Sequence, residues 1–307
     1  MRYCETLANR NSNPIPAATI GYAWRDTHIP CQWPFTLGGM ATTPIGTDPV
    51  LLDVTEGVAT ITLNRPERLN AWTPAMGALF SDLMERAGGD PAVRVIVVTG
   101  AGRGFCAGAD MEVLQSVGGG SAVVGSDRRV LPTGALSVPK PVIAAINGAC
   151  AGLGLVIAVC CDIRFAAAGA KFTSAFARRG LIAEYGISWL LPRLVGQGAA
   201  LDILYSGRVL LAEEALKMGL VNRVADPAAL LEETQAYARD LAANCSPASL
   251  AAIKSQVYRH LDTSLEEAVA DSLTLMETSL RGDDFREGVA SFLEQRAPRF
   301  KPPGAAG

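Results

Sequence analysis

A chain of 307 residues with 49% hydrophobic and 19% charged residues has the make-up of a soluble globular protein with a sizeable core, and excludes a disordered one. Its formal charge of −3, without long Lys/Arg runs, argues against nucleic-acid binding as the main task. Seven cysteines without metal spacing, and only His28 and His260, argue against a disulfide framework, a metal site and a histidine-dependent triad; reduced thiols in the cytoplasm fit better.

Residues 1–46 lack clear periodicity and read as a flexible extension, without the apolar core of a signal peptide. The pattern then sharpens. "LLDVTEGVATITLN" alternates about Glu56-Gly57, which predicts a hairpin. Thr73-Pro74 supplies an N-cap and a first-turn proline for a helix with Met76, Leu79, Phe80 and Leu83 on one face. "VRVIVVTG" is a continuous apolar run, as in a strand covered on both faces. The glycine-rich "AGRGFCAGAD" follows, then a loop over 115–135 with no decisive feature. Residues 141–161 carry no charge and are long enough to span a bilayer. Pro141, Asn147, Gly148, Gly152 and Gly154 interrupt them, however, and a strand, a glycine turn and a helix explain the run better. No membrane span is expected. "DIRFAAAGAKF" predicts further short strands, and from 226 only helical patterns remain: 226–243, 247–259, 264–279 and 283–296. The organisation is therefore an extension over 1–46, an α/β core over 47–225 and a helical segment over 226–307.

Two glycine motifs invite a nucleotide reading. "TGAGRGF" lacks the Lys-Ser/Thr of a phosphate loop, and "GACAGLGL" has Ile157 where a dinucleotide fingerprint wants its third glycine. Each alone is explained by a tight turn between buried strands. Together, two such turns, each at a strand end and each opening a helix, present unobstructed backbone N–H groups. Facing one pocket, they would form an oxyanion hole for a carbonyl that gains charge.

"ITLNRPERLNA", "GFCAGAD", "PKPVIAAINGACAGLGLVIAVCCDIRFAA", "PRLVG" and "EALKMGLVNRV" resemble the crotonase family, the enoyl-CoA hydratases and isomerases, over roughly residues 48–300. The resemblance implies a spiral of β-β-α turns, a C-terminal helical trimerisation segment and acyl-CoA thioester substrates, coenzyme A being part of the substrate and no separate cofactor being needed. It implies that the N–H groups of Ala109 and Leu153 polarise the thioester carbonyl. It also implies that "NRPERLNA", with Arg68 and Ala71, and "FCAGADM", with Ala107, Asp110 and Met111, hold the substrate. For Arg68 a solvated surface arginine is an equally good reading. Asp110 and Glu112 also suit the cap of a following helix, Asp162 a structural pairing, and Cys106 and Cys150 plain packing.

The chain departs from its family at the chemistry. Where hydratases carry two glutamates that position and split water, this sequence has Val156 and Phe176, leaving apolar side chains against the substrate. Eight residues beyond Phe176 stands Glu184, in "GLIAEYG", similar to the GL-x-P-(D/E)-x-G stretch of family members that move double bonds. One carboxylate, desolvated among Leu181, Ile182, Tyr185 and Trp189, is enough for a 1,3-proton shift. An enoyl-CoA isomerase is thus the first expectation. A 2-enoyl-CoA hydratase and a silent acyl-CoA binder are the alternatives. An apolar stripe of Leu265, Val269, Leu273 and Met276 predicts a homotrimer or a dimer of trimers.

Overall fold

The computed structural model describes residues 47–118 and 131–302. The expected extension over 1–46 and the middle of the 115–135 loop lie outside them. Strands β1 (Val50–Thr55) and β2 (Val58–Leu63) pair antiparallel as the expected hairpin. Glu56 and Gly57 both have positive φ (51° and 78°), which a two-residue primed turn requires. After a 3-10 turn at Pro66–Arg68 comes α1 (Pro74–Gly89). The Thr73 hydroxyl accepts the Met76 N–H at its start, and Met76, Phe80 and Leu83 are buried beneath it.

Three β-β-α units follow. The first is β3 (Val95–Gly100), β4 (Gly104–Cys106) and α2 (Met111–Gly118), followed by the short α3 (Gly134–Ser137). The second is β5 (Val142–Ile146), β6 (Ala149–Ala151) and α4 (Leu153–Cys160). The third is β7 (Ile163–Ala167), β8 (Lys171–Thr173), a 3-10 turn at Ala177–Arg179 and α5 (Ile187–Val195). Then come α6 (Gln197–Ser206), β9 (Leu210–Leu211), α7 (Ala212–Lys217) and β10 (Arg223–Ala225).

In each unit the first strand enters a six-stranded sheet ordered β1-β2-β3-β5-β7-β10, and the second a four-stranded sheet ordered β4-β6-β8-β9. Successive units therefore stack as turns of a spiral, with β4, β6 and β8 parallel and adjacent. This stacking places equivalent turns of the chain beside one another. The expected spiral of β-β-α turns is the architecture observed.

Four helices close the described chain: α8 (Leu230–Asn244), α9 (Pro247–Arg259), α10 (Leu265–Arg281) and α11 (Asp283–Leu293). Helix α8 packs against β2, β3, β5, β7 and β10, which helps explain why β3 and β5 are buried at every residue and read as unbroken apolar runs. Asp162 pins α9 to the core: its carboxylate accepts the Val142 N–H (2.7 Å) and the Tyr258 hydroxyl (2.9 Å) and pairs with Lys254 (2.9 Å). On α10, Leu265, Val269, Leu273 and Met276 are exposed. Among the described residues no helix is long and apolar enough to cross a membrane.

Candidate active site

The turns after β4 and β6 lie against each other. A Cβ built on Gly108 (φ +99°) would stand 3.1 Å from the Ala151 carbonyl oxygen and 3.6 Å from its carbon. One built on Gly152 (φ +50°) would stand 3.9 Å from the Gly108 Cα. Both positions therefore favour glycine for conformation, and Gly108 also for its tight approach to the Ala151 carbonyl. Gly154 is tighter still: its Cβ would meet the Cys106 carbonyl oxygen at 2.1 Å, so the start of α4 sits directly on β4.

This contact orients two N–H groups. Trp72 bridges Ala109 in parallel fashion, its N–H donating to the Gly108 carbonyl (2.7 Å) and its carbonyl accepting the Asp110 N–H (2.9 Å). The Ala109 N–H is left without a backbone acceptor among the described residues. Leu153 is the first residue of α4, where helix geometry provides no acceptor, while the preceding Gly152 N–H donates to Thr173 (2.9 Å). Ala109 and Leu153 line one cavity of about 290 Å³.

Arg68, Ala71, Ala107, Asp110 and Met111 line that cavity, and so do Phe176 and Glu184, as the sequence reading grouped them. Val156 does not: it is fully buried within α4, so the expected contact between its side chain and a ligand is not part of this cavity. All eight residues of α4 are buried, and a helix apolar on every side gives no stripe to tell which face meets the cavity. Gly108 and Gly152 line it too, with Glu112, Leu114, Ser174, Ala175, Arg179 and Leu181, none of them foreseen as ligand contacts.

Three carboxylates face this space in different states. Asp110 accepts the Glu112 N–H (3.1 Å), as the expected cap, and also pairs with Arg65 (3.0 Å). These donors hold its carboxyl below the usual range. Arg65 in turn donates to the Ala71 carbonyl (2.6 Å), fastening the "NRPERLNA" loop to the first glycine turn. Glu112 pairs with Arg68 at 3.3 Å in an exposed contact. Glu184 is half-buried, and among the described residues its carboxylate has no hydrogen bond or ion pair. Desolvation raises its pKa above the ordinary glutamate value.

Glu184 is presented by a tight turn. Tyr185 (φ 51°) and Gly186 (φ 78°) are left-handed, and the Glu184 carbonyl accepts the Ile187 N–H (3.1 Å) where α5 begins. Leu181 lines the cavity with it, and Ala183, Tyr185 and Trp189 pack against the core nearby. Ile182, expected in the same apolar shell, is 79% exposed instead. Cys106 and Cys150 are fully buried, and burial pushes the Cys106 thiol up to about 12, so both are packing groups.

Comparison with known proteins adds a family match and three similar proteins. Residues 53–303 match the family described as enoyl-CoA hydratase/isomerase. The 1,2-epoxyphenylacetyl-CoA isomerase of Escherichia coli (strain K12) is 36% identical over 270 residues, 82% of this chain and 97% of that protein. A probable enoyl-CoA hydratase/isomerase from Mycobacterium abscessus has a crystal structure similar at TM-score 0.78 and 31% identity, covering 82% of this chain and 98% of that one. An enoyl-CoA hydratase from Mycobacterium marinum is similar at 53% identity and TM-score 0.60, covering 69% of this chain and 97% of that one.

Proposed function

The chain belongs to the enoyl-CoA hydratase/isomerase, or crotonase, family of enzymes, and from that premise we propose that it shifts the double bond of an enoyl-CoA thioester, with Glu184 as the single proton carrier. The observation that carries this reading is the state of the three cavity acids. Asp110 and Glu112 are each committed to an arginine, whereas Glu184 is half-buried, unpartnered among the described residues and more basic than an ordinary glutamate.

The steps follow from that arrangement. With a 3-enoyl-CoA in the cavity, the Glu184 carboxylate takes a proton from C2, and the electrons spread over a dienolate. The N–H groups of Ala109 and Leu153 hold the thioester oxygen as it gains charge. Glu184 returns the same proton to C4, and the double bond ends between C2 and C3. Nothing is added or lost, so water has no part in the balance, and Phe176 lines the cavity where a hydratase of this family would place an acid. A base with a raised pKa suits this transfer near neutrality.

The cavity of about 290 Å³ stands at the low end of small-molecule sites, with room for an acyl thioester. The nucleotide part of coenzyme A then lies outside, where Arg68 reaches its phosphates. The chemistry asks for no separate cofactor. The apolar side chains exposed on α10 support assembly as a trimer or a dimer of trimers.

The Escherichia coli relative is named for isomerising an epoxide of an acyl-CoA, which supports isomerisation on a thioester without net addition of water. The hydratase name of the Mycobacterium marinum relative supports a second reading, in which Glu184 alone activates water for addition to a 2-enoyl-CoA. Supplying 3-enoyl- and 2-enoyl-CoA thioesters separately tests both. The proposal expects conversion of the first to a conjugated 2-enoyl product without hydration. Hydration of the second with no action on the first would replace it by the hydratase reading, and inertness toward both would leave an acyl-CoA binder.

A further inference from the structure

We propose that Arg179 is a receptor for a carboxylate on the acyl group, so that the substrates are enoyl-CoA thioesters whose acyl part carries a second acid. This rests on the reading that the cavity holds an enoyl-CoA. Arg179 ends the 3-10 turn between Phe176 and Glu184, and it lines the same cavity as both. Its guanidinium makes one long hydrogen bond, Nη1 to the Ala175 carbonyl at 3.3 Å, and no ion pair among the described residues. Most of its five donors are therefore available.

The neighbouring cations have other partners in the structure. Arg178 donates to the Ser206 carbonyl (2.6 Å) and packs under Gly207, outside the cavity lining. Arg68, the other basic residue of the lining, is paired with Glu112. Glu184 shares the cavity with Arg179 without pairing to it: its carboxyl responds to burial alone, whereas an adjacent guanidinium would pull it down. Two opposite charges thus line one cavity without pairing to each other or to another charge among the described residues. Arg179 is exposed at the cavity, and the apolar residues Ala175, Phe176 and Leu181 of the same stretch line it too.

A guanidinium fork without an ion pair among the described residues matches a planar oxyanion, which it can hold through two parallel hydrogen bonds. Two anions could supply one, an acyl carboxylate or a coenzyme A phosphate. Arg179 belongs to the stretch of chain, 174–184, that carries the proposed proton carrier, whereas the proposed phosphate-binding Arg68 belongs to a separate stretch of the lining. The acyl carboxylate is the source that fits.

Isothermal titration calorimetry separates these sources. Wild type, Arg179→Leu and Arg179→Lys are titrated with succinyl-, glutaryl- and adipoyl-CoA, each beside the plain acyl-CoA of equal carbon count, and with free coenzyme A. In wild type at least one dicarboxylic ligand should bind about tenfold tighter than its plain counterpart, the range for a charge-assisted hydrogen bond at a partly wet site. Arg179→Leu should abolish that preference and leave the plain ligands and coenzyme A unchanged, and Arg179→Lys should keep part of it. Equal binding of both series by wild type overturns the proposal. So does an equal loss on all ligands in Arg179→Leu, which would assign Arg179 to the phosphates. These ligands are saturated and are not turned over, so the result is independent of Glu184. A Glu184→Gln enzyme with full isomerase activity would remove the proton-transfer reading and leave the binding preference standing.

Discussion

The two walls of the cavity treat charge in opposite ways. On the wall from Arg65 to Leu114, Arg65 is paired with Asp110 and Arg68 with Glu112, and Asp110 also caps α2. On the wall from Ser174 to Glu184, Arg179 and Glu184 face the same space without ion pairs among the described residues. A paired charge has its field satisfied by its partner and serves to hold loops together. Arg179 is exposed, whereas the half-buried Glu184 carboxylate bears a desolvation cost that the fold alone does not repay. Such groups keep their electrostatic potential for a ligand. In the first stretch the side-chain charges pair with one another, and in the second they do not among the described residues.

Glu184→Gln should break the contrast most visibly. It keeps shape and hydrogen bonding but removes the base, and should lower isomerase turnover by roughly 10²–10⁴-fold. Binding of a saturated acyl-CoA should stay unchanged, because the donors at Ala109 and Leu153 belong to the main chain. Undiminished steady-state turnover would reduce Glu184 to a loop acid.

A pH profile sharpens the same point with a smaller effect. Only the carboxylate form can take the C2 proton, so turnover should rise with pH through a midpoint above the ordinary glutamate value of about 4.3. A midpoint at or below that value would contradict the desolvated setting of Glu184.

In the other stretch of the lining, Asp110→Asn should cost less than about tenfold in turnover and a few degrees in melting temperature at neutral pH, the scale of a charge-assisted hydrogen bond. The sign with pH is fixed by the direction of its shift. A carboxyl depressed by folding adds stability that is present above its unfolded value, about 3.9, and is lost as pH falls through the folded value. The melting gap between wild type and Asp110→Asn should therefore close in acid. A loss of turnover as large as that of Glu184→Gln would show that the paired wall is more than scaffold.

The smallest effect on the cavity is expected from α10. In the proposed assembly, light scattering should find about three times the 32.1 kDa chain mass, or six times for a dimer of trimers, and Leu273→Asp should reduce it. Wild type at the single-chain mass would remove that assembly.

The parts of this arrangement legible in the sequence were those set by local pattern. The hairpin at Glu56-Gly57, the Thr73 cap, the buried run of β3 and the two glycine turns depend on neighbours a few residues away. The grouping of Ala109, Leu153, Phe176 and Glu184 came from the family resemblance. What stayed hidden was set by tertiary distance. Arg65 and Asp110 are 45 residues apart, and nothing in either segment announces the pair. Arg179 looks like any loop arginine until the 3-10 turn brings it to the cavity. Helices α5, α6 and α7 and strands β9 and β10 escaped notice because their segments are short and their burial is decided by the spiral they close.

The contact of Gly154 with Cys106 divides what can vary here from what cannot. A side chain at 154 has no volume to occupy, so the separation of the two main-chain donors is a property of how α4 is seated on β4. Apart from proline, no replacement at 109 or 153 removes a donor. A change of reaction in such a site proceeds by relocating carboxylates around a constant pair of hydrogen-bond donors. Position 176 is open to that exchange, since it borders the cavity. Position 156 is closed to it while its side chain stays inside the core, where an acid would be desolvated on every side. Retargeting this enzyme toward water chemistry therefore meets its resistance at one buried helical residue.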